Sequence, residues 1–260
     1  MLPHQRRDTL LKEVQASGAV RVVDVADALG VSEMTIRRDL EELDRLGLVR
    51  RVHGGATSLG PGASDEPGFA AKATRELAAK QAIAQAAREL VRPGMTIAIS
   101  AGTTTYAFAA TVTDVEDLTV VTNSTDTADL LFDALPRSSQ VVVTGGVRTR
   151  SHALVGPVAI SALRSLHVDL VFHGFHGFDL KAGFTCPNLA EVATAQAMID
   201  CGRSLVVLVD HTKAGVVALA GVVPLSRADV VVTDSLLADQ DRAALSEHVP
   251  DVVVAPVGPR

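Results

Sequence analysis

Seven short runs rich in Val, Ile and Thr recur along the last two thirds of the chain, with helix-forming stretches between them. They are Thr96–Ser100, Leu118–Thr122, Gln140–Thr144, Asp169–His173, Ser204–Asp210, Asp229–Thr233 and Asp251–Val257. Runs that stay apolar on consecutive residues suit strands covered on both faces, and strands that alternate with helices join in parallel. An α/β domain with a mainly parallel, doubly wound sheet is therefore expected over residues 73–257. In such a sheet ligands bind beyond the carboxyl ends of the strands, so the turns that follow these runs are the places to look for chemistry.

The first run leads directly into Ala101-Gly102-Thr103-Thr104-Thr105 and then an apolar helical segment. A strand, a Gly-Thr-rich turn and a helix start present backbone N–H groups, hydroxyls and a positive dipole end to an anion, for which phosphate is the natural guest. The alternative is that the threonines only cap the helix. Thr122-Asn123-Ser124, Thr144-Gly145-Gly146 and Asp210-His211-Thr212-Lys213 follow three other runs and should converge on the same crevice, with Lys213 adding a cation.

The beginning of the chain has a different pattern. Three helices, Gln5–Ser17, Val22–Leu29 and Ser32–Leu46, precede a hairpin from Leu48 to Ala56, which is the order of a winged helix-turn-helix over residues 3–58. Gly18 stops the first helix, and Gly30-Val31-Ser32 makes a tight turn in which Ser32 is a good N-cap. Ile36, Leu40, Leu43 and Leu46 form one apolar stripe flanked by Met34, leaving Ser32, Glu33, Thr35, Arg37 and Arg38 to face outward near the helix start. In a helix-turn-helix those positions meet base edges and phosphates in the major groove. Arg50, Arg51, His53 and Gly54 would form a basic, glycine-tipped wing whose backbone can approach flanking phosphate or the minor groove. The competing reading is that these arginines solvate surfaces or pair with Asp39, Glu41 and Glu42.

Charge supports reading the two segments separately. Residues 1–57 carry nine Lys and Arg against nine Asp and Glu, so the whole formal charge of −6 belongs to residues 58–260. Between them, Thr57 to Gly68 shifts to Ser, Gly, Pro and Asp, and a linker is placed at 59–72. Phe69 to Val91 then reads as one long Ala-rich helix, a candidate connector or dimer contact. The start of the chain lacks the pattern of a secretory signal and no apolar run is long enough for a membrane span, so a cytoplasmic protein without a membrane partner is expected. Cys186 and Cys201 lack metal-ligand spacing and are given no role.

Taken together, Arg6-Arg7, Val22-Val23-Asp24-Val25-Ala26, Val31 to Leu40 and Arg50-Arg51-Val52-His53-Gly54-Gly55-Ala56 resemble the N-terminal signature of the DeoR family of bacterial transcription regulators. The resemblance runs through nearly the whole chain. It implies a Rossmann-like sensor domain similar in fold to ribose-5-phosphate isomerase, responding to sugar phosphates. It further implies that Gly102, Thr103, Thr104, Thr105 and Lys213 hold the phosphate, and that Asn123, Gly145 and Gly146 line the sugar. Many relatives carry an acidic residue where Ser100 stands, so the polar contacts here differ. The implied function is a repressor of carbohydrate uptake or catabolism genes. It would bind operator double-stranded DNA as a homodimer or homotetramer and be released by a phosphorylated sugar effector.

Two other readings compete. An isomerase needs a carboxylate beside the carbonyl, and the isomerases of this fold carry Asp-Gly-Ala-Asp-Glu where this chain reads His173-Gly174-Phe175-His176-Gly177. Asp179, Lys181 and Glu191 lie nearby, but no catalytic residue is assigned and no enzyme is expected. His173 and His176 lack a third ligand at convincing spacing, so no metal and no cofactor are expected. Together with Gly174 they are effector contacts, with plain loop packing as the alternative.

Overall fold

The computed structural model describes residues 3–17, 19–45, 48–52, 54–57, 69–149 and 151–258. Gly18, Leu46, His53 and the connecting stretch 58–68 lie outside the described residues. The chain divides into two compact units, Met1–Gly62 and Ala63–Arg260.

The first unit runs α1 (Pro3–Ser17), β1 (Ala19–Arg21), α2 (Val22–Leu29), α3 (Glu33–Arg45), β2 (Arg50–Val52) and β3 (Gly55–Thr57). Its strands form one antiparallel sheet in the order β1-β3-β2. The sequence reading missed β1, whose three residues are too few to show a period. Leu10 and Val14 of α1, Val22 and Val25 of α2, and Ile36, Leu40 and Leu43 of α3 share one buried cluster with Val49 and Ala56. Burying each of the larger of these side chains contributes roughly 1.5–3 kcal/mol, and together they form the core of this unit.

The second unit opens with α4 (Phe69–Ala73) and α5 (Leu77–Arg88). The single helix expected from Phe69 to Val91 does not form. Glu76 adopts left-handed backbone at φ 49°, and the Lys80 ammonium takes the carbonyls of Lys72 and Arg75 that a continuing helix would have bonded. The chain continues through β4 (Thr96–Ile99), α6 (Thr103–Ala109), β5 (Thr119–Thr122), α7 (Thr125–Ala134), β6 (Gln140–Val143), β7 (Val147–Arg148) and β8 (Leu154–Val155). Next come α8 (Pro157–Arg164), β9 (Val168–His173), β10 (Gly177–Asp179), β11 (Gly183–Cys186), α9 (Leu189–Cys201) and β12 (Gly202–Leu208). After a 3-10 turn at His211–Lys213 the unit ends with β13 (Ala220–Val223), β14 (Val230–Asp234), α10 (Asp239–Ser246) and β15 (Asp251–Ala255).

All seven expected runs join one parallel sheet, in the order β15-β14-β12-β9-β4-β5-β6. Alternate residues serve opposite faces. Ile97, Ile99, Phe172, Val206 and Val232 pack with Ile83 and Ala87 of α5, Phe108 of α6 and Leu131 of α7. Ala98, Val171, Leu205, Val207 and Val231 pack instead with Leu163 of α8, Met198 of α9 and Leu245 of α10. The chain moves outward from β4 to β6 on one side, then returns to place β9 on the other. The topological switch point therefore lies between the carboxyl ends of β4 and β9. A small antiparallel sheet, β10-β11-β13, follows β9 and was not anticipated.

Candidate functional site

In the first unit, Gly30 closes α2 in the left-handed region at φ 63°, which glycine reaches without cost. Ser32 Oγ accepts the Thr35 N–H at 3.2 Å and shares a 2.9 Å hydrogen bond with Thr35 Oγ1. Both hydroxyls are thus engaged in starting α3. Asp39, buried on the inner face of α3, pairs with Arg6 of α1 and holds the two helices together. The outer face presents Glu33, Met34, Arg37 and Arg38 to solvent.

The arginines are not equivalent. Arg37 pairs with Glu33 at 2.9 Å, and Arg51 with Glu41 at 2.8 Å, whereas Arg38 has no ion pair or hydrogen bond among the described residues. Exposed pairs are worth only about 0–1 kcal/mol, so a phosphate can displace either carboxylate at little expense. β2 and β3 pair antiparallel, with Val52 opposite Gly55. Gly54 has φ 81°, and its carbonyl accepts the Val22 N–H at 2.9 Å. Gly55 lies against the carbonyl of Val20, where a Cβ would stand 2.0 Å from the oxygen. Gly55 thus permits the close approach of β3 to β1, while Gly54 supplies left-handed backbone at an exposed position with open space around it. His53 and the Arg50 side chain lie outside the described residues.

In the second unit, buried polar residues collect at the carboxyl edge of the parallel sheet: Ser100, Thr104, Thr105, Asn123, Thr144, His173 and Asp210. At the switch point the Ser100 N–H donates to the Phe172 carbonyl at 3.0 Å, and Ser100 Oγ accepts the Gly174 N–H at 3.2 Å. Thr105 is fully buried and its hydroxyl donates to the Gly102 carbonyl at 3.1 Å, a structural use. The side-chain hydroxyls of Thr103 and Thr104 make no hydrogen bond among the described residues, which leaves them open to a ligand. Asn123 is committed at both ends of its amide. Its Oδ1 accepts the Ala101 N–H at 2.9 Å and its Nδ2 donates to the Leu154 carbonyl at 3.2 Å, tying the β4 turn to β8.

His173 ends β9, is buried, stacks on Phe175 at 4.4 Å and leaves Nδ1 without a partner. Burial pushes its pKa down to about 4. His176 is also pushed down to about 4, chiefly by burial and then by the charges of Lys213 and Lys72. Lys213 ends the 3-10 turn after β12, where the buried Asp210 carboxylate caps the Thr212 N–H at 3.0 Å. Its ammonium has no ion pair among the described residues. Gly145 and Gly146 follow the edge strand β6, two strands away from β4. A Cβ on Gly146 would strike the Val155 carbonyl at 2.6 Å, so that glycine serves the turn beneath β8.

The turns that carry Gly102 to Thr105, Asn123, Gly145, Gly146, His173, Gly174, His176 and Lys213 all follow strands of the parallel sheet, those after β4 and β9 on adjacent strands and that of Gly145 and Gly146 after the edge strand β6. Two lysines on the same side escaped the sequence reading. Lys72 bears electrostatically on His176, and the buried Lys80 faces Asp210 and Lys213. A lysine on the inward face of an Ala-rich helix was the available signal.

Comparison with known proteins identifies the family. The DeoR-like helix-turn-helix domain matches residues 6–61, and the DeoR C terminal sensor domain matches residues 75–235. The HTH-type transcriptional regulator YgbI of Escherichia coli is 36% identical over 98% of this chain and 99% of its own length. GlpR of Haloferax volcanii is 35% identical over 91% of this chain and 92% of its own. The lactose phosphotransferase system repressor of Staphylococcus aureus is 32% identical over 90% and 93% respectively. Among solved structures, a D-ribose-5-phosphate isomerase in complex with phospho-erythronic acid aligns with a TM-score of 0.39 and 17% identity over 52% of each chain. The chain belongs to the DeoR family of helix-turn-helix transcription regulators, and it is a regulator, not an enzyme.

Proposed function

We propose that this regulator represses genes for the uptake or catabolism of a carbohydrate, and that a phosphorylated intermediate of that pathway releases it from its operator. α3 enters the major groove of double-stranded DNA with Arg38 leading, while Arg37, Arg51, Ser32 and Thr35 contact flanking backbone or bases. The repressor among its relatives supports the direction of control. A homodimer or homotetramer acting in the cytoplasm fits the two-fold symmetry of operators.

One observation carries the effector assignment. The switch point holds two uncommitted hydroxyls, Thr103 and Thr104, on the crevice edge that also carries Lys213, a cation without a counter-ion among the described residues. Hydroxyl donors and a nearby cation suit a phosphate monoester. Release requires the effector to prefer the DNA-incompetent state, since equal affinity for both states shifts nothing.

The test has two arms on purified full-length protein. Fluorescence anisotropy with fragments of its own promoter region should show salt-sensitive, sequence-preferring binding. A thermal-shift screen of phosphorylated sugars and polyols should find a compound that raises Tm and lowers operator affinity. The effector reading fails if every stabilising compound leaves DNA affinity unchanged.

A further inference from the structure

Lys80, one turn into α5, is only 4% exposed. Its Nζ donates to the carbonyls of Lys72 and Arg75, each at 2.6 Å, and no carboxylate lies within ion-pair distance of it among the described residues. An ammonium has three donors, and here two are used on neutral oxygens. Burying a cation without an anionic partner is costly, so the site is arranged for an anion that is not part of the chain. The charged groups facing it are Asp210 and Lys213 from the turn after β12, with Glu76 and Lys72 from the α4–α5 joint. Burial, only partly offset by Asp210, pushes the Lys80 pKa down to about 8.

The carbonyls that Lys80 holds belong to α4 and the turn after it. Phe69 stacks on His152 at 5.3 Å and meets Tyr106, the residue after Thr105, edge-on at 5.7 Å. His152 in turn pairs with Asp126 at the start of α7. At the other end of the same short helix, the charge of Lys72 acts on His176 together with that of Lys213. One five-residue helix thus touches Tyr106 of α6 and the loop before β8, and its Lys72 bears electrostatically on the loop after β9.

We propose that Lys80 and Lys72 form a second half of the effector site, contacting a phosphate monoester from the side opposite Thr103 and Thr104, so that occupancy fixes the position of α4. The inference rests on the reading that this crevice takes a phosphorylated metabolite. The phosphate supplies the anion that Lys80 lacks and competes with the α4 carbonyls for its donors.

Tyr106 is the sole tyrosine and the chain has no tryptophan, so intrinsic emission of the full-length protein reports on the Phe69–Tyr106 contact. Titration with inorganic phosphate, and with a panel of phosphorylated sugars, should change that emission saturably. Lys80→Met should weaken binding about tenfold to a hundredfold, the range for hydrogen bonds to charged groups, while Lys80→Arg restores most of it. Native affinity should also fall as pH rises through about 8, because binding raises the Lys80 pKa, and Lys80→Met should lose that dependence. The half-buried Lys72→Met should weaken binding several-fold, and it keeps the test decisive if Lys80→Met does not fold. Native phosphate affinity in both methionine variants, alongside lost binding in Thr104→Val, would overturn the second half-site and leave the effector reading standing. No response of the native protein to phosphate or to any phosphorylated sugar would overturn both.

Discussion

The carbonyl oxygen of Val20 lies 2.0 Å from where a Cβ on Gly55 would stand, closer than any real contact allows. β1 and β3 therefore approach at a distance that only glycine permits. Gly55→Ala must push β3 away from β1, and the Ala56 anchor of the small core moves with it. The expected cost is about 2 kcal/mol or more, a large share of what so small a unit has to lose. Hydrogen exchange should show lost protection across residues 19–57 while the parallel sheet keeps its own. Unchanged protection in β1 and β3 would contradict this account.

Arg38→Ala should weaken operator binding by roughly 10- to 100-fold and reduce the salt slope by about one, without altering effector affinity. Arg37 and Arg51 each begin in an ion pair with a carboxylate, so replacing them should cost less. Anisotropy titrations over a range of salt separate the three variants. An equal loss in all three would mean that the arginines act as a diffuse charge and that Arg38 does not lead.

Periodicity and spacing exposed the architecture because its strands are covered on both faces, so each announced itself as an apolar run. The same reasoning failed where contacts are local or tertiary. β1, β10, β11 and β13 are three or four residues long and hold no period. The break at Glu76 was hidden, since an Ala-rich stretch promotes helix on both sides of it and only the Lys80 side chain shows why the chain turns. At the site, residue type pointed to turns at the carboxyl edge of the sheet but could not tell which hydroxyls are already hydrogen-bonded within the chain. Thr103, Thr104 and Thr105 look alike in sequence, yet only the third spends its hydroxyl on a neighbouring carbonyl.

That distinction gives a paired test. Thr104→Val combined with Lys213→Ala should abolish the effector response, measured as ligand-induced gain in Tm and loss of DNA binding, and leave operator affinity intact. Thr105→Val removes a buried hydrogen bond to Gly102 and should lower stability by about 1 kcal/mol while retaining the response. Loss of operator binding in the double variant would show that the two activities do not divide between the units as proposed.

His173 makes stability depend on pH in a direction that its burial fixes. Its folded-state pKa is pushed down to about 4 from an ordinary 6.5, so between those values the unfolded chain binds a proton that the folded one does not. Stability from this group is complete above pH 6.5 and is lost as pH falls toward 4, at up to about 1.4 kcal/mol per pH unit. His176, partly exposed, adds in the same direction. Thermal melts from neutral pH downward should therefore show a falling Tm that begins below pH 6.5. His173→Gln, which cannot titrate, should flatten that limb. If the variant fell as steeply as the native protein, acid would be acting elsewhere, and the buried Nδ1 would not be the proton acceptor that unfolding exposes.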